Sequence, residues 1–182
     1  MKATTWQNIC IIILFSILLT ACGFHLRTQE PLPPELHTLY IDSANPYGNL
    51  TLELKQILKS LDTQLVDSAQ DAPITLRIFG EQYVSDVLSE SASSSTEQYT
   101  LHYQVQYELL SKTGKVLFGP KIIHNQRNYT VNENQVLSTD SEQESLQTEM
   151  QHDAVFTLLR QLSAPETQKK LQQSITKKQL NS

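Results

Sequence analysis

Glycine and cysteine are scarce in this chain, and positive charge nowhere dominates. Five glycines among 182 residues leave little material for a loop that cradles phosphate, and no G-x-S-x-G or H-E-x-x-H segment occurs. Lys plus Arg number 14 against 19 Asp plus Glu, a formal net charge of −5. A nucleic-acid binder normally carries a basic stripe, so nucleic acid is not expected as a partner. The histidines are His25, His37, His102, His124 and His152. None stands i, i+3 or i, i+4 from another, the spacing a zinc-binding helix would use. Glu142 and Glu144 lie where a helix's first turn is expected, and there the helix dipole accounts for them. No catalytic residue, metal or cofactor is expected, and the chain reads as a non-enzyme.

Long apolar runs are also missing. Residues 9–19 form an apolar stretch broken only by Ser16, and a spanning helix needs about 20 such residues. Behind Lys2, this has the shape of a secretory signal core. The run ends in Leu19-Thr20-Ala21-Cys22. That tetrapeptide resembles the bacterial lipobox: leucine, two small residues, then cysteine. The resemblance implies a signal peptide over 1–21, cleavage before Cys22, an S-diacylglycerol thioether on Cys22 and acylation of its new amino group. Two or more acyl chains give stable anchoring, at about 0.8 kcal/mol per buried CH₂. Gly23 in place of an aspartate implies sorting to the outer membrane. Cys10 and Lys2 leave with the signal, so 13 basic residues face 19 acidic ones, a net −6. A single lipidated cysteine then excludes any disulfide.

The rest reads as one α+β domain. Residues 22–36 form the lipidated N-terminus and a tether that Pro33-Pro34 stiffens. A strand is expected over 37–42, then a turn at Asn45-Pro46 and Gly48. Leu50, Leu54, Ile57, Leu58 and Leu61 make a helical stripe, with Asn49 as its expected N-cap. Ile74, Leu76 and Ile78 alternate as a strand that can continue past a bulge at Gly80. Residues 89–96 are small and polar and read as a mobile loop.

The strongest strand signal follows. Tyr99, Leu101, Tyr103, Val105, Tyr107 and Leu109 alternate with polar residues, which predicts one buried and one wet face. A hairpin is predicted at 111–115 with Gly114 at positive φ. The return strand from Val116 must bend at Gly119-Pro120. Ser141 and Glu144 form a candidate capping box for a helix carrying Leu146, Met150, Ala154, Val155, Leu158 and Leu162. The expectation is a four-stranded, mostly antiparallel (mixed) sheet with two helices on one face, over 37–163. The Gln- and Lys-rich segment 164–182 reads as a disordered tail.

Cys22-Gly23-Phe24-His25-Leu26-Arg27 resembles the C-G-aromatic-H-L-R opening of the LPS-assembly lipoproteins, the LptE family. "LYIDSANPYGNLTLELKQIL", "EQYTLHYQVQYELL" and "DSEQESLQTEMQHDAVFTLLRQL" resemble that family's first strand and helix, central strand and final helix, in order. The resemblance implies a 1:1 plug within the outer-membrane LPS-translocating β-barrel, LptD, lipid-anchored on the periplasmic side. It also implies help in assembling that barrel and contact with lipopolysaccharide. The family's LPS contact involves basic residues in loops corresponding to 85–96 and 131–140, and neither stretch holds Lys or Arg here. The remaining candidates for LPS contact are Lys112, Lys115, Lys121 and Arg127. Two other readings stay open: a stand-alone periplasmic-face lipoprotein that binds glycan or acts as an adhesin, and a lipoprotein enzyme without a recognisable motif.

Overall fold

The computed structural model describes residues 31–90, 96–132 and 136–179. Strand β1 (Thr38–Ser43) leads to helix α1 (Asn49–Ser60) and a two-residue strand β2 (Gln64–Leu65). Three long strands follow: β3 (Ile74–Glu90), β4 (Thr96–Ser111) and β5 (Val116–Asn132). Helices α2 (Val136–Ser163) and α3 (Pro165–Gln179) close the fold. The sheet order is β2-β1-β3-β4-β5. β1 runs parallel to both its neighbours, and β3, β4 and β5 are antiparallel.

The period-2 signal on β4 has the predicted consequence. Leu101, Tyr103, Val105, Tyr107 and Leu109 are at most 1% exposed. They share one core with Leu50, Leu54 and Leu58 of α1 and with Met150, Ala154, Val155, Leu158 and Leu162 of α2. Both helical stripes therefore cover the same sheet face. Each buried leucine contributes about 1.5–3 kcal/mol by leaving water, so this face holds the layers together.

Glycines set the bends. Gly114 closes the β4–β5 hairpin at φ 78°, with its N–H bonded to the Ser111 carbonyl at 2.8 Å. Gly80 (φ 62°) lies at the register shift between Phe79 and Gln82 on β3. Gly119 (φ 96°) lies where β5 slips against Tyr107 and Leu109. A Cβ at Gly119 would come within 3.0 Å of the Tyr107 carbonyl oxygen. The backbone conformation and the close approach of the neighbouring strand both require glycine there.

Several expectations need correction. The sheet has five strands, not four. β2 is too short for a periodic signal and exists through pairing with β1: the Gln64 N–H meets the His37 carbonyl at 2.7 Å. Among the described residues three α-helices are present, not two. The third occupies 165–179, where a disordered tail was expected. Pro165 follows the end of α2 and opens α3, in whose first turn a missing N–H costs nothing. Thr167 donates its hydroxyl to the Gln161 carbonyl at 2.6 Å, and Leu171 is fully buried. Two anchors dock a helix that its polar composition conceals.

The tether boundary also moves. Pro34–Leu36 forms a 3₁₀ turn, and Leu32 (6% exposed) and Leu36 (0%) join the core. The helix cap falls on Gly48, with Asn49 the first helical residue. α2 starts at Val136, ahead of the Ser141 capping box. β3 runs past the bulge at Gly80 to Glu90 and β4 begins at Thr96, so strand takes both ends of the expected loop 89–96. Residues 91–95, and the expected signal peptide with Cys22, lie outside the described residues.

Candidate interaction surfaces

Among the described residues all the covering helices lie on one side, and the second face of β3–β5 carries the alternate residues. Across it run Gln82, Val84 and Asp86 from β3, Thr100, His102, Gln104 and Gln106 from β4, and Ile122, His124, Gln126 and Asn128 from β5, paired in register. Most are half-buried or exposed. Thr100 donates its hydroxyl to Asn128 Oδ1 at 3.0 Å. Arg77 ties the lower end together, reaching Asp42 and Glu108 at 3.1 Å each. Amides both donate and accept, so this face can bond to a polar wall of either polarity. Val84 and Ile122, 48% and 58% exposed, add apolar area among the amides.

The four basic candidates do not converge. Arg127 pairs in register with Leu101 and directs its guanidinium to Glu149 and Asp153 on α2. Lys121 lies over the Phe118 ring, its Nζ 5.4 Å from the centroid, and close enough to act electrostatically on Glu166. Lys112 and Lys115 are exposed at the hairpin. At about 3.4 Å per antiparallel residue, β4 positions 101 and 111 lie roughly 30 Å apart. Arg127 and the hairpin lysines therefore cannot hold one phosphate. Lys112 instead rims a cleft of about 420 Å³ that Pro34, Glu35, Pro73, Ile74 and Leu117 also line.

On the covered side, the tyrosines hold the layers together. Tyr103 donates to Glu81 at 3.0 Å and Tyr107 to Gln161 at 2.6 Å. Tyr83 donates to the Gln147 carbonyl at 3.3 Å. Burial, then the Glu81 charge, pushes the Tyr83 and Tyr103 hydroxyls up, and burial, then Glu166, does so for Tyr107. All three remain neutral donors fixed to the helices and to the sheet edge. Glu166 moves the other way: its hydrogen bond with Lys170, then the charges of Lys170 and Lys121, hold its carboxyl below the usual range.

One side-chain pair escaped sequence reading. His102 and His124, far apart in the chain, approach to 3.4 Å between Nδ1 and Nε2. Only the hairpin register, corrected for the slips around Gly119, brings them together. Among the described residues no helix is long and apolar enough to cross a membrane.

Comparison with known proteins covers nearly the whole described domain. A family model described as LptE, lipopolysaccharide-assembly, matches residues 36–162. The LPS-assembly lipoprotein LptE of Pectobacterium atrosepticum is 32% identical over 155 residues, covering 84% of this chain and 83% of that protein. Its namesake from Yersinia enterocolitica is 33% identical, covering 81% of this chain and 71% of its own length. Among solved structures, lipoprotein B from Nitrosomonas europaea superposes with a TM-score of 0.65 at 27% identity, over 80% of this chain and 93% of that one. A minor lipoprotein from Acinetobacter baumannii shares the fold, with a TM-score of 0.61 at 20% identity, over 72% and 93% of the two chains.

Proposed function

The chain belongs to the LptE family of lipopolysaccharide-assembly lipoproteins, and from that premise we propose how it takes part in LPS assembly. It is an envelope lipoprotein without catalytic chemistry of its own. It is anchored at the outer membrane through acylated Cys22, with 1–21 removed as a signal peptide. Its α+β domain plugs the lumen of the LPS-translocating barrel LptD, one copy per barrel, and helps that barrel assemble. It thereby serves lipopolysaccharide transport and insertion at the outer-membrane surface.

The observation that carries this reading is the one-sided sheet. The face beneath the helices is dry and closed, while the other is an uncovered field of amides, hydroxyls and imidazoles. The lumen of a large outer-membrane barrel is polar and wet, and such a field suits it. Lys112 and Lys115, exposed at the hairpin, are the basic residues best placed to meet lipid A phosphates. The stand-alone binder gains no support from the relatives, which carry the LPS-assembly name.

Capture of the native chain from mild-detergent extracts through a C-terminal tag tests the partner. Recovery of one very large β-barrel in equal amount supports the plug. Recovery of the lipoprotein alone contradicts it.

A further inference from the structure

The uncovered sheet face carries one cluster that neither packing nor LPS assembly requires. Asp86 on β3, His102 on β4 and His124 on β5 stand in a row across three strands. Asp86 Oδ2 is 3.4 Å from His102 Nε2. His102 Nδ1 is 3.4 Å from His124 Nε2. The two rings are inclined by 28° with centroids 5.5 Å apart, so the facing nitrogens lie between the rings.

We propose that His102 and His124 form a two-histidine site for a tetrahedral divalent metal, Zn²⁺, on the uncovered face of the sheet, with Asp86 orienting His102. Zn–N bonds of about 2.0–2.1 Å at a tetrahedral angle separate two ligand nitrogens by about 3.3–3.4 Å, and the observed separation is 3.4 Å. A right-angled site, as square-planar or octahedral metals prefer, would draw them to roughly 2.9 Å. Asp86 favours the proton on Nε2 of His102, which leaves the Nδ1 lone pair facing His124. A carboxylate on the far nitrogen is the arrangement that fixes tautomer and ring orientation in histidine–zinc sites.

Among the described residues no group of three His, Cys, Asp or Glu side chains converges as ligands. The remaining zinc positions therefore fall to water or to a side chain of whatever covers this face. The bond that competes with metal is a plain N–H···N contact between the rings. It needs a proton between the two nitrogens, where zinc needs both lone pairs free.

The test titrates Zn²⁺ into the full chain in detergent against a chromophoric zinc indicator. One zinc per chain is expected, with His102→Gln and His124→Gln each weakening it at least about tenfold. Asp86→Asn should weaken it by about tenfold, as loss of an orienting partner does. His37→Gln and His152→Gln should change nothing. In parallel, ¹⁵N spectra of the unsubstituted chain should show zinc moving His102 Nδ1 and His124 Nε2, a readout that does not depend on how the variants fold. Equal affinity in the unsubstituted chain and both glutamine variants, or zinc-induced shifts confined to other histidines, overturns the site and leaves the hydrogen bond alone.

Discussion

The Arg127 guanidinium on β5 holds two carboxylates of α2, Glu149 at 3.3 Å and Asp153 beside it. This contact turns a residue that sequence alone offers to lipopolysaccharide into a clamp between sheet and helix. Arg127 is about a third exposed, its side chain at 35%, and partly exposed ion pairs are worth roughly 0–1 kcal/mol. Arg127→Ala should therefore lower unfolding stability by under about 1 kcal/mol, with the loss shrinking as salt rises. It should leave LPS affinity unchanged. Urea melts at two ionic strengths, paired with LPS binding, check both statements.

Leu101 is 1% exposed at the centre of the core. Truncating a buried leucine removes its transfer energy and leaves a cavity, so Leu101→Ala should cost about 2–5 kcal/mol. Val84→Ala, on the other face of the sheet, should stay within about 0.5 kcal/mol, as surface changes do. Comparable costs for the two would mean that the faces are wrongly assigned.

Helix α3 should detach without unfolding the rest. Leu171 and Thr167 are its buried anchors. Leu171→Ala should raise amide exchange throughout 165–179 while β4 amides stay protected. The helix should also respond to acid. Glu166 has its carboxyl depressed mainly by its bond with Lys170. A depressed acid contributes stability above its unfolded value and loses it as pH falls through the folded one. Acidification below the ordinary carboxylate range should loosen the first turn of α3, and Lys170→Met should shrink that response in NMR shifts, leaving the smaller part due to Lys121.

The elements legible in the sequence were those whose pattern is local. The alternation over 99–109 gave both faces of β4, the stripes through Leu54 and Leu158 gave two helices, and Gly114 gave the hairpin. What stayed hidden depends on distant partners. β2 exists through the Gln64–His37 backbone bond. α3 holds on through one leucine and one threonine, too few for a stripe. Leu32 and Leu36 look like tether until the core closes over them. The surfaces were less legible still: Arg127, Lys121 and the hairpin lysines look alike in sequence, and only register and helix placement separate the clamped charges from the exposed ones.

Lys112 and Lys115 lie at the hairpin with exposed side chains. If they meet lipid A phosphates, Lys112→Ala with Lys115→Ala should weaken LPS binding and flatten its salt dependence, since each lost charge removes a screened attraction. Stability should move by no more than about 0.5 kcal/mol. Unchanged binding would remove the hairpin from LPS recognition.

If the domain plugs the barrel as proposed, protein surface and not the lipid should hold it there. A tether raises local concentration without adding complementary contact, whereas a specific interface needs upwards of about 1,000 Å². The direct measurement is co-expression of LptD with an unlipidated form starting at Gly23, followed by purification of the barrel. The expected result is a stable complex containing one copy of the soluble domain. Recovery of that domain only as free monomer, while the lipidated chain is complexed, would contradict the claim.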